Sequence, residues 1–130
     1  AYELFKRNPI WGIGPKGFRH YCRSVKYDPP VGICSTHPHN FLVQIISETG
    51  LIGLIFYLSS LIFVILKLMK IYHSKNIIYD KNCFVIISLG LIVNFFPFVP
   101  NGNFFNNWIS IINFYYIGLY LFSYKKIFNS

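Results

Sequence analysis

The sequence predicts an all-α membrane protein with three transmembrane helices preceded by an extracytoplasmic loop. Of its residues, 54% are hydrophobic and only 12% are charged, against roughly 25% charged in an ordinary soluble domain. Three apolar runs, at 49–66, 83–99 and 108–124, carry no charge. They approach the length that crosses a hydrocarbon core about 30 Å thick. Lysines flank these runs, as expected where basic residues set the orientation of membrane helices.

The first 40 residues make up the predicted extracytoplasmic segment. Residues 1–5 are expected to continue a helix already under way, so the chain is predicted to be a fragment of a longer polytopic protein. Residues 8–17 contain three glycines and two prolines. This composition excludes a regular helix and permits close approach of the backbone to a ligand. Gly12 and Gly14 do not form a dinucleotide-binding fingerprint, because the preceding strand and the following acidic residue are missing.

The three helices are predicted at about 41–66, 83–99 and 108–124. The first contains Glu48 as its only charged residue. The other two are 17 residues long, which corresponds to about 25 Å of helix. A very apolar soluble bundle is the alternative, and three such runs in so short a chain argue against it.

The lysine distribution predicts the orientation of the helices. Residues 1–40 and the rest of the chain hold six basic residues each, but the rule weighs those within about 15–20 residues of a span. In the first group only Arg23 and Lys26 lie near that window, whereas all six of the second group do, namely Lys67, Lys70, Lys75, Lys81, Lys125 and Lys126. We therefore expect a cytoplasmic loop at 67–82, with residues 1–40 and the loop at 100–107 on the outer side. These scattered basic groups form no stripe along a soluble face, so nucleic acid is not an expected partner.

The basic residues of the first segment have two interpretations. Arg19 and Arg23 are four residues apart and share a face if that stretch is helical. Together with Lys16 they match either phosphate oxygens or anionic lipid head groups. Cys22 and Cys34 either form a disulfide in an oxidising compartment or remain free thiols.

A histidine cluster lies at the mouth of the first helix, in the sequence Thr-His-Pro-His-Asn at 36–40. A titratable group at a membrane surface is a candidate functional residue, and imidazole, with an unperturbed pKa of about 6.5, moves protons near neutral pH. Cys34, His37 and His39 could supply three zinc ligands, but Pro38 restricts the backbone between the two histidines, so no metal is predicted. Glu48 either pairs with an arginine or Asn40, or extends to the membrane surface. The amide-rich loop at 100–107 suits either carbohydrate or the aromatic belt of a membrane interface.

His39-Asn40, nine residues, Gly50, two residues and Gly53 together are similar to the signature of the bacterial O-antigen ligase family. Its superfamily also includes O-antigen polymerases. The stretches 8–15 and 100–107 resemble the family as well, so the resemblance covers nearly the whole chain. It implies a multi-pass glycosyltransferase of the bacterial inner membrane that works at the periplasmic face. Such a ligase moves a glycan from undecaprenyl pyrophosphate to lipid A–core, and a polymerase moves it to another repeat unit, without a cofactor.

By resemblance, His39 is the catalytic base. The residues expected to support it are His37, Asn40 and Glu48. Those expected to bind the pyrophosphate are Arg19, Arg23 and Lys16, and the glycines of the family motif are Gly12, Gly14, Gly50 and Gly53. Family members have a further arginine upstream and more helices, so these 130 residues are expected to be inactive alone. The alternative from another class is a non-catalytic transporter or scaffold segment, which would place its polar residues near mid-membrane.

Overall fold

The structure is a computed structural model that describes residues 1–23, 37–73, 78–98 and 102–128. Its regular elements in these ranges are the helices α1 (Tyr2–Arg7), α2 (Gly17–Arg23), α3 (Phe41–His73), α4 (Ile78–Asn94) and α5 (Asn107–Phe128). The all-α part of the predicted fold class is therefore confirmed. The turn-rich stretch between α1 and α2 is not helical, as its glycines and prolines predict.

The observed helices have different bounds from the predicted ones. α3 continues to His73 and α4 begins at Ile78, because the predicted spans stopped at charged residues and lysine is a good helix former. α4 ends at Asn94, three residues before Pro97, since proline disfavours helical backbone at the residue before it. The predicted assignment of loops to the two sides of a membrane stays a prediction.

Among the described residues, α3 is the helix that is long and apolar enough to cross a membrane, judged by length and composition. Only 6% of its most apolar window is buried, whereas the core helix of a soluble protein is mostly buried. The apolar part of α4, Lys81–Asn94, is shorter. Three membrane crossings therefore remain a prediction, and α3 is the element that supports it.

The chain divides into two compact units. Unit 1 comprises Ala1–Tyr57 and Pro97–Ile109, and unit 2 comprises Leu58–Phe96 and Ser110–Ser130. In unit 1 the buried hydrophobic side chains include Leu4, Phe41 and Ile45. Phe41 meets Phe104 edge to face, with ring centroids 5.0 Å apart, a favourable aromatic geometry. These contacts pack the start of α3 against the segment that precedes α5.

Unit 2 has its own hydrophobic cluster, made by Ile71, Phe84, Leu91 and Tyr120. The ring of Phe84 is completely buried and lies 5.3 Å from that of Tyr120. The cluster therefore joins the late part of α3 to α4 and α5. A polar contact accompanies it, because Nδ2 of Asn94 donates to Oδ1 of Asn113 at 2.5 Å.

Candidate functional site

The central feature of unit 1 is a break in α3 at Gly50, whose backbone has φ 66° and ψ −161°. In a regular helix the N–H of Leu51 donates to the carbonyl of Ser47, and the N–H of Ile52 to the carbonyl of Glu48. The break separates both pairs. Four backbone groups of α3 consequently need other partners, because buried peptide groups are almost always hydrogen-bonded.

The loop between α1 and α2 supplies all four partners. The carbonyls of Ser47 and Glu48 accept hydrogen bonds from the N–H groups of Ile13 at 3.1 Å and Gly14 at 2.9 Å. On the other side of the break, the N–H groups of Leu51 and Ile52 donate to the carbonyls of Pro9 at 2.9 Å and Ile10 at 3.4 Å. The broken helix and the loop therefore form one hydrogen-bonded structure.

Two of the motif glycines permit this close contact. A Cβ atom on Gly50 would lie 2.6 Å from the nitrogen of Gly12, and one on Gly12 would lie 2.6 Å from the nitrogen of Gly50. Both residues also have positive φ, 71° at Gly12 and 66° at Gly50, where a side chain is strained. From the sequence, the glycine-rich loop permits close approach of the backbone to a ligand, which stays a prediction. In the structure, the backbone of this loop packs against α3.

Glu48 lies at the contact between the loop and the break in α3, and it is only 1% exposed. Its Oε2 accepts from the backbone N–H of Lys16 at 3.2 Å and from Nε2 of Gln44 at 3.1 Å, and its Oε1 accepts from the N–H of Phe18 at 3.1 Å. Lys16 and Phe18 bracket the start of α2, so the carboxylate caps the positive end of that helix. Glu48 is therefore a buried helix cap. It does not extend to the membrane surface, which was one of the predicted alternatives.

Gln44 extends the network to a third segment. Its Nε2 also donates to Oδ1 of Asn103 at 2.8 Å, and its Oε1 accepts from the N–H of Phe104 at 2.9 Å. Oδ1 of Asn103 further accepts from the N–H of Phe105 at 2.9 Å. Gln44, which is 1% exposed, thus ties the loop before α5 to Glu48. Sequence reasoning missed Gln44. The available signal was a second polar residue one helical turn before Glu48.

The histidine cluster leads directly into α3. His39 is exposed and has φ 56°, a left-handed conformation that is uncommon for a residue other than glycine. Its ring lies 4.2 Å from that of His37, measured between centroids, at an angle of 51°. Oδ1 of Asn40 accepts from the N–H of Val43 at 3.1 Å, so Asn40 caps the first turn of α3. The predicted catalytic residue therefore stands at the entrance of the helix whose first turns hold the buried network.

The basic candidates lie on or beside α2. Lys16 and Arg19 are exposed, and Lys16 has φ 62°. Arg23 ends α2, so the expected helical spacing of the two arginines is present, although the placement of the Arg23 side chain lies outside the described residues. The Cys34 position, and with it the predicted pairing with Cys22, also lies outside them. Within the described ranges no three His, Cys, Asp or Glu side chains are grouped to hold a metal ion.

Among the described residues, the fold and the site define a helical protein with a broken apolar helix, long and apolar enough to cross a membrane, and a histidine at the entrance of that helix. Residues 1–58 match the family model described as O-Antigen ligase, so this part of the chain is similar to that family, which confirms the resemblance carried by the motif. The matched range contains the whole loop, α2, the histidine cluster and the break at Gly50. No curated protein and no solved structure matches the chain. That family is membrane-associated and belongs to a superfamily of glycosyltransferase type. Its members act in general on lipid-linked glycans.

Proposed function

We propose that this chain forms the part of an O-antigen ligase or polymerase that activates the acceptor of glycan transfer. The donor is a glycan on undecaprenyl pyrophosphate, and the reaction takes place at the periplasmic face of the bacterial inner membrane. The observation that carries the proposal is the position of His39. It is an exposed imidazole, held in a left-handed conformation at the entrance of α3, within the range that matches the family.

His39 acts as the general base in this proposal. It takes the proton of the acceptor hydroxyl while the hydroxyl oxygen bonds to the anomeric carbon of the donor sugar. The bond between that carbon and the pyrophosphate oxygen breaks, and the carrier pyrophosphate leaves with the electron pair. The left-handed backbone at His39 supports a functional role, because strain of this kind is concentrated at sites where geometry matters. Asn40 fixes the position of the histidine by capping the helix that follows.

Arg19 and Lys16 are proposed to contact the pyrophosphate, with Arg23 from the same helix. Glu48 has a different task, since its burial keeps it away from substrate. The Glu48 carboxylate accepts hydrogen bonds from the backbone N–H groups of Lys16 and Phe18, and it thereby fixes the start of the helix that carries Arg19. The buried carboxylate therefore positions the basic residues and does not repel the anionic donor directly.

The break in α3 favours a second candidate, because transporters use discontinuous helices to bind ions or substrates with freed backbone groups. In this chain the four freed groups are already taken by residues 9–14. They are thus occupied within the protein, which supports the transferase over a transporter segment. Ligase and polymerase differ in the acceptor, and the geometry at His39 serves both.

The test is the variant His39→Ala in the intact gene product, compared in cells with His73→Ala. His73 is the matched control, an exposed histidine at the other end of α3 whose Nδ1 lies 2.8 Å from the carbonyl oxygen of Met69. Removing a general base lowers the rate by about 10²–10⁴, so His39→Ala should nearly abolish transfer at a normal protein level in the membrane. Polymer that accumulates on the carrier indicates a ligase, and carriers with single repeat units indicate a polymerase. Near-normal transfer by His39→Ala would refute the proposal.

A further inference from the structure

We infer that residues 9–11, here termed the Trp11 corner, insert into the lipid bilayer beside α3. This inference goes beyond the proposed function, because it concerns how the loop meets the membrane and is independent of glycan transfer. The corner is the point where the loop between α1 and α2 crosses the break at Gly50. It consists of Pro9, Ile10 and Trp11 and lies in a stretch, 8–15, without a charged residue.

The side chains of the corner are exposed although they are apolar. The exposed fraction is 76% for Trp11 and 55% for Ile10. In water, two large apolar side chains at a loop tip contribute no hydrophobic stabilisation, because their surface stays exposed to solvent. Tryptophan is the residue type that favours the boundary between hydrocarbon and head groups, where its ring meets apolar chains and its N–H meets water.

Two backbone carbonyls of the corner have hydrogen-bond partners within the protein. The carbonyl groups of Pro9 and Ile10 accept the N–H groups of Leu51 and Ile52, and proline has no N–H of its own. Backbone groups in a bilayer must be satisfied within the protein, since lipid chains offer no hydrogen bonds. The carbonyls of Pro9 and Ile10 meet this requirement, which makes the apolar tip of the loop better suited to lipid.

The apolar surface of the corner continues onto α3. Leu51 and Ile52, which hold the corner, are 42% and 46% exposed, and Ile55 and Phe56 are 66% and 75% exposed. The second pair lies four residues after the first, so the four side chains share one side of the helix. This surface belongs to the helix that is long and apolar enough to cross a membrane. The occupant of the continuous surface is therefore phospholipid, with the Trp11 corner at the head-group end.

Fluorescence of the 130-residue chain in phospholipid vesicles tests the inference. The chain has two tryptophans, so Trp108→Phe leaves Trp11 as the only one. Vesicles are prepared with bromine on the lipid chains near the head group or near the terminal methyl, and iodide is added as an aqueous quencher. We expect head-group-end bromine to lower the Trp11 emission about twofold, and iodide to have little effect, because an interfacial indole lies beside the upper acyl chains.

A reference variant keeps the result interpretable. Phe56→Trp, in a chain that also carries Trp11→Phe and Trp108→Phe, reports on the exposed face of α3 itself. Bromine quenching at both positions supports the inference. Strong iodide quenching of Trp11 with bromine quenching only at position 56 overturns it, since the corner then lies in water. Protection of Trp11 from both quenchers also overturns it, because the corner is then covered by protein. Absence of bromine quenching at position 56 removes the lipid surface on which the inference rests and equally overturns it.

Discussion

Replacing Gly50 with alanine should separate the glycine-rich loop from α3. The new Cβ would lie 2.6 Å from the nitrogen of Gly12 and 2.5 Å from the carbonyl carbon of Ile10, which is far inside van der Waals contact. Gly50 also has φ 66° and ψ −161°, a backbone region that is essentially restricted to glycine, so a side chain there adds about 1–3 kcal/mol of strain. The steric clash and the backbone strain are both relieved if α3 straightens into a regular helix at position 50.

Straightening exchanges four hydrogen bonds for two. The regular bonds from Leu51 to Ser47 and from Ile52 to Glu48 form again, but four loop groups lose their partners, and two of them are the N–H groups of Ile13 and Gly14. A buried polar group left without a partner costs about 1–3 kcal/mol, and a typical bond contributes about 1 kcal/mol net. We therefore expect Gly50→Ala to lower the free energy of unfolding by about 4 kcal/mol, a large effect for a single methyl group.

The assay is denaturant unfolding of the purified chain in mixed micelles, followed by circular dichroism. Gly118→Ala is the matched control, because Gly118 lies in α5 and an added Cβ would have nothing within 4 Å of it. This control should gain up to about 1 kcal/mol from helix propensity. Hydrogen exchange adds a local readout, since the amides of Ile13 and Gly14 should lose protection in Gly50→Ala. The reasoning is refuted if Gly50→Ala stays within about 1 kcal/mol of wild type and both amides remain protected.

Three further predictions concern the same unit and the topology. Glu48→Gln places an amide N–H₂ against a backbone donor, so it should cost about 2–3 kcal/mol of unfolding free energy, measured by the same titration; an unchanged value would show that the buried cap is unimportant. If residues 1–40 face outward, Cys22 and Cys34 can pair in a disulfide worth roughly 3 kcal/mol, and mass spectrometry of unreduced protein that finds both thiols free would remove this idea. Cysteines introduced at Gly102 and Ser74 should react with an impermeant reagent in intact cells only at Gly102, and labelling at Ser74 alone would reverse the topology.

The helices of this chain were largely predictable from local patterns. The apolar runs after residue 40 indicate helices because a helix needs only bonds between residues four apart, and those runs became parts of α3, α4 and α5. The turn-rich stretch at 8–17 was likewise predictable from its glycines and prolines. The helix ends were less accurate, since charge was used as the limit of a span while the backbone continues through lysine.

The motif at the candidate site was recognisable from the sequence, but the contacts of its residues were not. The spacing of His39, Asn40, Gly50 and Gly53 resembles the signature of the family, and the match of residues 1–58 to the family model confirms that resemblance. The same pattern did not show that Gly50 interrupts α3, because glycine inside an apolar run is equally compatible with a continuous helix. Gln44 was overlooked for a similar reason, as a single amide in a helix has no signature until its partners are known.

The sequence by itself determined that this protein has apolar helices, a turn-rich basic segment before them and the histidine motif at their entrance. These features depend on composition and on short spacing, which a chain carries without folding. Only the tertiary structure decided which groups meet. Glu48 receives backbone donors from Lys16 and Phe18, 32 and 30 residues away, and Gln44 bonds to Asn103 at a separation of 59. Backbone donors are the same in every residue type except proline, so no sequence pattern distinguishes the ones that a buried carboxylate will find.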